Sequence, residues 1–391
     1  MTSKLLTLPG YRIVRVEGNY MLMRVYARVL EAPEQSPCCG ADRLHSKGLY
    51  RRRVVHLPWM GVPTQLVITC RRYACLCCGK SFVQPLPGII PGRRTSEGWR
   101  EAIYERHDDG ICASVLARRE RSSPATVGRI YAQFTERRAK ERLSLECPRV
   151  LGIDEHTLHR GQRFATTFCD LKNRRVFDIS AGRSEGELAG YLGGLRGRER
   201  VRVVCIDLSN SYRSLVRRWF PRAAIVADRF HAIRVVCHHL MRLARQLVPQ
   251  LGWNRGWLGL LRRRRDRLDP EQERRLQTLL AAHPGLQGIY EIKERLCSLL
   301  RHKQQGKAAC RHHARHLLQL IEELRESRLD AALTLAKTLR DWQEEIARMW
   351  RFSKNNGITE GFHRKMKLIQ RRAYGFRSFA NYRLRVIAQC G

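Results

Sequence analysis

The segment VRVVCIDLSNSYRSLVRRWFPRAAIVAD, Val201 to Asp228, switches between two periodicities and decides the fold class. Val201 to Asp207, apolar but for Arg202 until it ends on an acid, has the pattern of a buried strand. Tyr212, Leu215, Val216 and Trp219 then recur at helical spacing, and Ala223 to Asp228 returns to a strand. Upstream, Val150 to Asp154, Phe164 to Asp170 and Arg175 to Ser180 predict three strands, with Leu171 to Arg174 turning the second into the third. Ser184 with Glu187 three residues on marks a capping box, so a helix separates these strands from the fourth. Three meandering strands, then helix, strand, helix, strand, is an α/β order.

Working outward, His231 to about Phe352 is charged, leucine-rich and helical, with breaks near Asp269-Pro270 and His283-Pro284-Gly285. A last helix is expected from near Thr359. On the other side, Arg93 to Glu146 has helical spacing at Trp99 and Ile103, at Ile111 and Val115, and at Val127, Ile130, Tyr131 and Phe134. Before it, short alternating runs such as Leu66, Ile68 and Arg71, Tyr73 predict small strands around a metal, ending in the Pro/Gly stretch Pro85 to Gly92. The expected organisation is a cysteine-bearing domain over 1–92, a helical region over 93–146, an α/β core in two parts over 147–230 and 353–391, and a helical insertion over 231–352.

Composition narrows the function. The chain has 391 residues, and 74 Lys plus Arg against 36 Asp plus Glu give a formal charge of +38. Such self-repulsion argues against an ordinary metabolic enzyme and points to a polyanionic partner, nucleic acid first. Mean hydropathy is negative, and no run approaches the ~18 apolar residues of a membrane span. The N-terminal tract is broken by Pro9, Gly10, Arg12 and Arg15 and lacks a signal-peptide pattern, so a cytoplasmic protein is expected. Fourteen cysteines in a reducing compartment argue against disulfides, and six of them lie between Cys38 and Cys78.

Three motifs put acids at predicted element ends: Asp154 in LGIDEH, Asp207 in VVCIDLSNSY and Glu360 in NNGITEGFHRKMK. Two-metal phosphoryl transfer needs a few carboxylates from separate elements to hold two Mg²⁺ or Mn²⁺ ions ~3.5–4 Å apart. Asp154 and Glu155 point to opposite faces of a strand, so one of them joins the cluster, and Asp154 is the choice. The competing reading is that Asp207 only caps the next helix and that Glu360 is only an acid favoured at a helix N-terminus. Glu360 is, however, the sole acid from Arg351 to Gly391, and Arg364, Lys367 and Arg371 share its helix face, opposite Phe362, Met366 and Ile369. One acid amid cations that can grip phosphate suits a metal ligand beside bound backbone. Asp170 and Asp178 read as hairpin acids.

Two further signals lie N-terminal to this. Cys75-Leu-Cys-Cys78 with Gly79 is a good zinc knuckle, and its partner is irregular, Ser36-Pro-Cys38-Cys39. Between Ile111 and Phe134, two helical patterns flank Glu120 to Ser123, and Ser123-Pro124 is a good N-cap and first-turn pair. That is helix-turn-helix spacing, with Thr126, Arg129 and Gln133 outward on the second helix and Arg118, Arg119 and Arg121 near phosphate. A helical hairpin that only packs on its neighbours is the alternative.

CLCCGKSF (Cys75 to Phe82), LGIDEH (Leu151 to His156), IDLSNSY (Ile206 to Tyr212), VADRFH (Val226 to His231) and NGITEGFHRKMKLIQRRAYG (Asn356 to Gly375), in this order, resemble the DDE transposases of bacterial insertion sequences, most closely the ISL-three family. The resemblance covers nearly the whole chain from Pro37. It implies a multidomain α/β protein with an RNase H-like catalytic core, interrupted by a helical insertion and preceded by a zinc ribbon and a helix-turn-helix. It also implies Asp154, Asp207 and Glu360 as the Mg²⁺-binding catalytic acids, and Lys367 as a DNA contact near the cut, with Arg364 and Arg371 positioning backbone. VADRFH looks like an Asp/Cys-x-x-His element, which makes Asp228 and His231 second candidates. Against this, Asp228 could cap the following helix with His231 packed beneath it.

The family pattern would place cysteines at 36 and 39, so Cys39, Cys75 and Cys78 are matched zinc ligands, and Cys38 or His45 fills the fourth place or it stays empty. By resemblance, ribbon and helix-turn-helix recognise terminal inverted repeats. The core would cut the element's end and join the freed 3′-OH to target DNA, within at least a homodimer in the nucleoid-associated bacterial cytoplasm. Two rivals remain: a non-catalytic DNA-binding regulator over a decayed core, and an RNase H-like nuclease without strand transfer.

Overall fold

A computed structural model describes residues 8–159, 163–352, 357–373 and 375–391. The chain forms two compact units that divide at Arg137/Arg138, and each is described by itself.

In the first unit, β1 (Tyr11–Asn19), β2 (Leu22–Val29), β3 (Leu44–Trp59), β4 (Val62–Cys75) and β5 (Ser81–Val83) make one sheet in the order β1-β2-β4-β3, with β5 also on β4. The strands around the cysteines are not small. β3 and β4 run for 16 and 14 residues as one hairpin, because Val54, Leu66 and Ile68 keep an apolar row buried against Val25 and Ala27 of β2. Its turn is Met60-Gly61, both with positive φ, and its open end carries Cys75. Three helices follow: α1 (Glu97–Asp108), α2 (Ala113–Arg119) and α3 (Pro124–Leu143). Their core is Trp99, Ile103, Tyr104, Leu116, Val127, Ile130, Tyr131 and Phe134. Leu116 and Ala117, rather than the expected Val115, are the buried residues of α2.

The second unit opens with β6 (Val150–His159), β7 (Arg163–Asp170) and β8 (Arg175–Ala181), an antiparallel meander. Asp170 organises the β7–β8 turn by accepting from the backbone N–H groups of Lys172 and Asn173. Then come α4 (Glu185–Gly194), β9 (Val203–Ile206), α5 (Asn210–Trp219) and β10 (Ala224–Ala227). The capping box at Ser184 and Glu187 is formed as the sequence predicts. β9 and β10 are parallel to β6, giving the order β10-β9-β6-β7-β8. Seven helices follow: α6 (Arg229–Leu247), α7 (Arg255–Arg262), α8 (Pro270–Ala282), α9 (Pro284–Arg301), α10 (Lys307–Glu326), α11 (Asp330–Asp341) and α12 (Gln343–Arg351). Asp269 and Pro270, and Pro284, start helices where the breaks were expected. The chain returns to the sheet with α13 (Gly357–Arg372) and α14 (Phe379–Cys390).

The sheet has two covered faces. Leu151, Ile153, Phe168, Val204 and Ile206 pack with Leu188, Leu192, Tyr212 and Leu215 of α4 and α5, whereas Cys169, Val176, Ile179 and Cys205 pack with Met366, Ile369, Tyr382 and Val386 of α13 and α14. Asp178 of β8 is not a turn residue. It takes a two-pronged ion pair from Arg383 of α14, at 2.7 and 2.6 Å. Arg229, immediately after Asp228, is buried, and its guanidinium donates to the carbonyls of Leu300, His302 and Met349. It thereby satisfies orphan carbonyls at the C-terminal ends of both α9 and α12.

Candidate active site and cysteine knuckles

Register builds the first half of the site. Gly152 of β6 lies opposite Cys205 of β9, and Ala227 of β10 opposite Ile206. The first strand does not close at Asp154 as expected but runs on to His159, paired with β7. Carried two residues on and one residue on, the register sets Asp154, midway along β6, level with Asp207 and Asp228, which directly follow β9 and β10, ~4.8 Å apart from strand to strand. The Asp228 N–H still donates to the Ile206 carbonyl at 2.7 Å, so pairing persists to the acid. Ile153 and Ile206 face α4 and α5, so alternation sends Asp154 and Asp207 to the face that α13 covers.

The three acids are held differently. Asp154 Oδ1 accepts from the Glu155 N–H at 2.9 Å, and Oδ2 lies 3.9 Å from His363 Nδ1. Burial, opposed by His231 and reinforced by Asp207 and Asp228, raises the Asp154 pKa to about 6. Burial also raises Asp207, with Glu155 and Asp228 adding to it against His231. Asp207 is not spent as a cap: α5 has Ser209 at its N-cap, and Asp207 Oδ1 is buried without a hydrogen-bond partner. Asp228 does cap α6. Its Oδ2 accepts from the His231 N–H at 3.2 Å and lies 2.7 Å from His231 Nδ1. Burial alone would lower His231, and this bond, together with the charge of Asp228 and Asp154, outweighs it and raises the imidazole pKa.

Glu360 stands in the first turn of α13, half exposed, and accepts an ion pair from Arg364 at 2.8 Å. Among the described residues, Asp154, Asp207 and Glu360 do not bring three ligand oxygens within 4.8 Å of one another. What ties α13 to the acids is His363, one turn beyond Glu360. Its Nε2 lies 3.1 Å from Thr167 Oγ1, Thr167 Oγ1 lies 3.0 Å from His156 Nδ1, and His156 Nε2 lies 3.1 Å from the Tyr382 hydroxyl. Burial, with Lys367 adding to it, lowers His363 to about 4. Burial, with His363 and Lys367 adding to it, lowers His156 to about 3. Sequence reasoning singled out neither histidine. The available signal was position: His156 shares the strand face of Asp154, and His363 is one helical turn from Glu360. Arg364, Lys367 and Arg371 are exposed along α13.

The donor set fits divalent cations. An orphaned buried carboxylate oxygen beside a second carboxylate whose charge is disfavoured by burial and by its neighbours is the arrangement that a bound cation would relieve.

In the first unit, the sulfur atoms of Cys39, Cys75 and Cys78 lie within 4.8 Å of one another, Cys39 to Cys75 at 3.5 Å. Backbone N–H groups, Cys78 first and then Cys77, hold the Cys75 thiol at about 6. That favours the thiolate which zinc requires. Cys38 stands outside this trio, beside the Lys80 ammonium, and His45 is exposed on β3. Cys70 is buried within the sheet and donates toward the Tyr50 carbonyl, and Cys77 is exposed. Of the residues read as outward on α3, Arg129 is exposed and bonded to the Ala125 carbonyl and Thr126 hydroxyl, and exposed Gln133 accepts from buried Arg100. Ser123 caps α3 by accepting from the Thr126 N–H at 3.1 Å.

An α/β unit with acids aligned across neighbouring strands, preceded by paired cysteine knuckles, matches known sequence families on both counts. The ISL3 family model, described as transposase, matches residues 151–386, more than half of the chain, and the model for the zinc-finger of transposase IS204/IS1001/IS1096/IS1165 matches residues 33–78. The chain belongs to the ISL3 family of transposases. It is 28% identical, over 97% of its own length and 95% of the relative's, to the transposase for insertion sequence element IS1001 of Bordetella parapertussis. No helix among the described residues is long and apolar enough to cross a membrane.

Proposed function

We propose that this protein binds the terminal inverted repeats of an insertion sequence and catalyses metal-dependent strand cleavage and strand transfer, with Asp154, Asp207 and Glu360 as the metal-holding acids of an RNase H-like core. The observation that carries the reading is the alignment of Asp154 and Asp207 on adjacent parallel strands, beneath a helix whose Glu360 is one turn from the histidine that reaches Asp154. A meander of three antiparallel strands extended by two parallel ones supports the core assignment.

Two divalent cations bound there would supply Lewis-acid stabilisation of the attacking and leaving oxygens. Asp154 and Asp207 fix their positions from the sheet, and Glu360 adds the third carboxylate once Arg364 turns from it to phosphate. Lys367 and Arg371, on the same exposed helix stripe, hold the backbone of the cleaved strand. Asp228 orients His231 and favours its protonated form near the acids. The thiols of Cys39, Cys75 and Cys78 hold structural zinc, and α2 and α3 form the helix-turn-helix that presents Arg129 to the major groove, with Arg118, Arg119 and Arg121 exposed beside it. Two ends held together imply at least a dimer when assembled on DNA.

The test is a supercoiled plasmid carrying the element's ends, incubated with protein and Mg²⁺. Nicking at the ends and joining of a labelled 3′-OH end to target DNA are expected. Nicking without joining would leave a nuclease, and end binding without nicking would leave a regulator.

A further inference from the structure

The two cysteine knuckles are copies of one another, 39 residues apart. In the second, the Cys75 N–H donates to the Lys80 carbonyl at 3.0 Å, the Gly79 N–H donates back to the Cys75 carbonyl at 3.0 Å, and Gly79 has φ +69. In the first, the Ser36 N–H donates to the Ala41 carbonyl at 2.8 Å, the Gly40 N–H donates back to the Ser36 carbonyl at 2.9 Å, and Gly40 has φ +75. Both loops need a left-handed residue at the same step, and both have glycine there.

The side chains follow the same superposition. The Cys75 sulfur accepts from the Cys77 and Cys78 N–H groups, and Ser36 Oγ accepts from the Cys38 N–H at 3.4 Å. Ser36 is 2% exposed and Cys75 1%, whereas Cys38 and Cys77 are both exposed. Cys39 therefore corresponds to Cys78, Cys38 to the outward Cys77, and Ser36 to Cys75. The Ser36 hydroxyl also reaches the Cys39 sulfur, while the Cys38 thiol is beside Lys80.

We propose that zinc in this ribbon is bound by the thiolates of Cys39, Cys75 and Cys78 with an oxygen at Ser36 in the fourth corner, and that Cys38 is not a ligand. This rests on the ribbon binding zinc at all. A neutral oxygen replaces a thiolate, so the metal carries three negative ligands instead of four and is held less tightly than in a four-cysteine site.

The experiment is cobalt substitution of the full chain, with thiolate-to-cobalt absorption read against a Cys75→Ser control and zinc affinity measured by competition with a chelator. Three cobalt–thiolate bonds are expected in the native protein, three in Cys38→Ser and four in Ser36→Cys, which should bind zinc ~10- to 100-fold more tightly. Ser36→Ala, a smaller change should Ser36→Cys fail to fold, is expected to keep three thiolate bonds and bind zinc about tenfold more weakly. Loss of a thiolate bond in Cys38→Ser would overturn the assignment while leaving the zinc site standing, as would unchanged affinity in Ser36→Ala. A native chain with no cobalt–thiolate absorption would remove the site itself.

Discussion

On the proposed function, the cysteine knuckles and the acids level across β6, β9 and β10 are two ways of preparing for a metal. In the knuckles, three sulfurs already converge within 4.8 Å, because two tight turns and a long hairpin dictate where they stand. In the α/β unit, strand register aligns Asp154 and Asp207, but Glu360 stays half exposed and paired with Arg364. The first arrangement leaves a metal little to organise. The second keeps coordination positions for whatever arrives with the ion, as the proposed cleavage of a bound strand requires.

The sharpest way to break this contrast is to remove a carboxylate without changing its shape. Asp207→Asn and Glu360→Gln are expected to lower end cleavage by at least about 10³-fold while end binding, measured by gel shift, is retained. Lost binding would make these residues architectural. Cys78→Ser should do the reverse: zinc is lost from the purified protein, and amide exchange rises around 36–41 and 75–80 while the β6–β10 sheet stays protected. Equal loosening of both units would erase the distinction.

His363→Gln sharpens it further. If His363 only positions Asp154, metal dependence persists with cleavage reduced ~10- to 100-fold, and the apparent affinity for Mg²⁺ falls with it. A rate change at unchanged Mg²⁺ affinity would assign His363 another role.

Acid should strike the second unit. His156 and His363 are neutral when folded, with pKa values of about 3 and about 4 against an ordinary 6.5, so each contributes stability that is present above 6.5 and lost as pH falls toward 4. Lys367 favours that direction for both, His363 adds to it for His156, and on His363 the charge of His231 adds to it while Glu360 opposes it. Asp154, raised to about 6, acts oppositely between pH 6 and its ordinary value. Asp207 and His231, both raised, act with Asp154, so the histidine pair is read by difference: in urea, His156→Gln should lose less stability from pH 7 to pH 5 than the native chain, by up to about 2 kcal/mol. An equal pH dependence in the two proteins would contradict the assignment. The smallest effect expected is for Lys367→Ala, which should reduce the log–log salt slope of DNA binding by about 1.

Much of the second unit was legible in the sequence, because periodicity changed sharply there. The apolar run into Asp207 is a buried strand, Ser184 and Glu187 form their box, and Pro270 and Pro284 start helices as proline does. α13 begins two residues before the expected Thr359, a fraying-scale difference. The histidine line was illegible, since His156, Thr167, His363 and Tyr382 meet only through tertiary packing of β6, β7, α13 and α14. So was the length of the β3–β4 hairpin. Its middle, Tyr50 to Arg53, carries three arginines and no apolar alternation of its own, yet it is held in register by the apolar row of β4.

Arg229 sets a limit on how this family member can vary in length. Its one guanidinium closes the ends of α9 and α12 from a position next to Asp228, so the stretch between the fifth strand and the last pair of helices is no detachable cassette. Trimming a turn from either helix end would strand a buried cation at the floor of the acids, at a cost of ~3–5 kcal/mol. Insertions should therefore be tolerated in the α10–α11 connection, whereas the α7–α8 connection is held by buried Lys293, which donates to the carbonyls of Leu261 and Arg263.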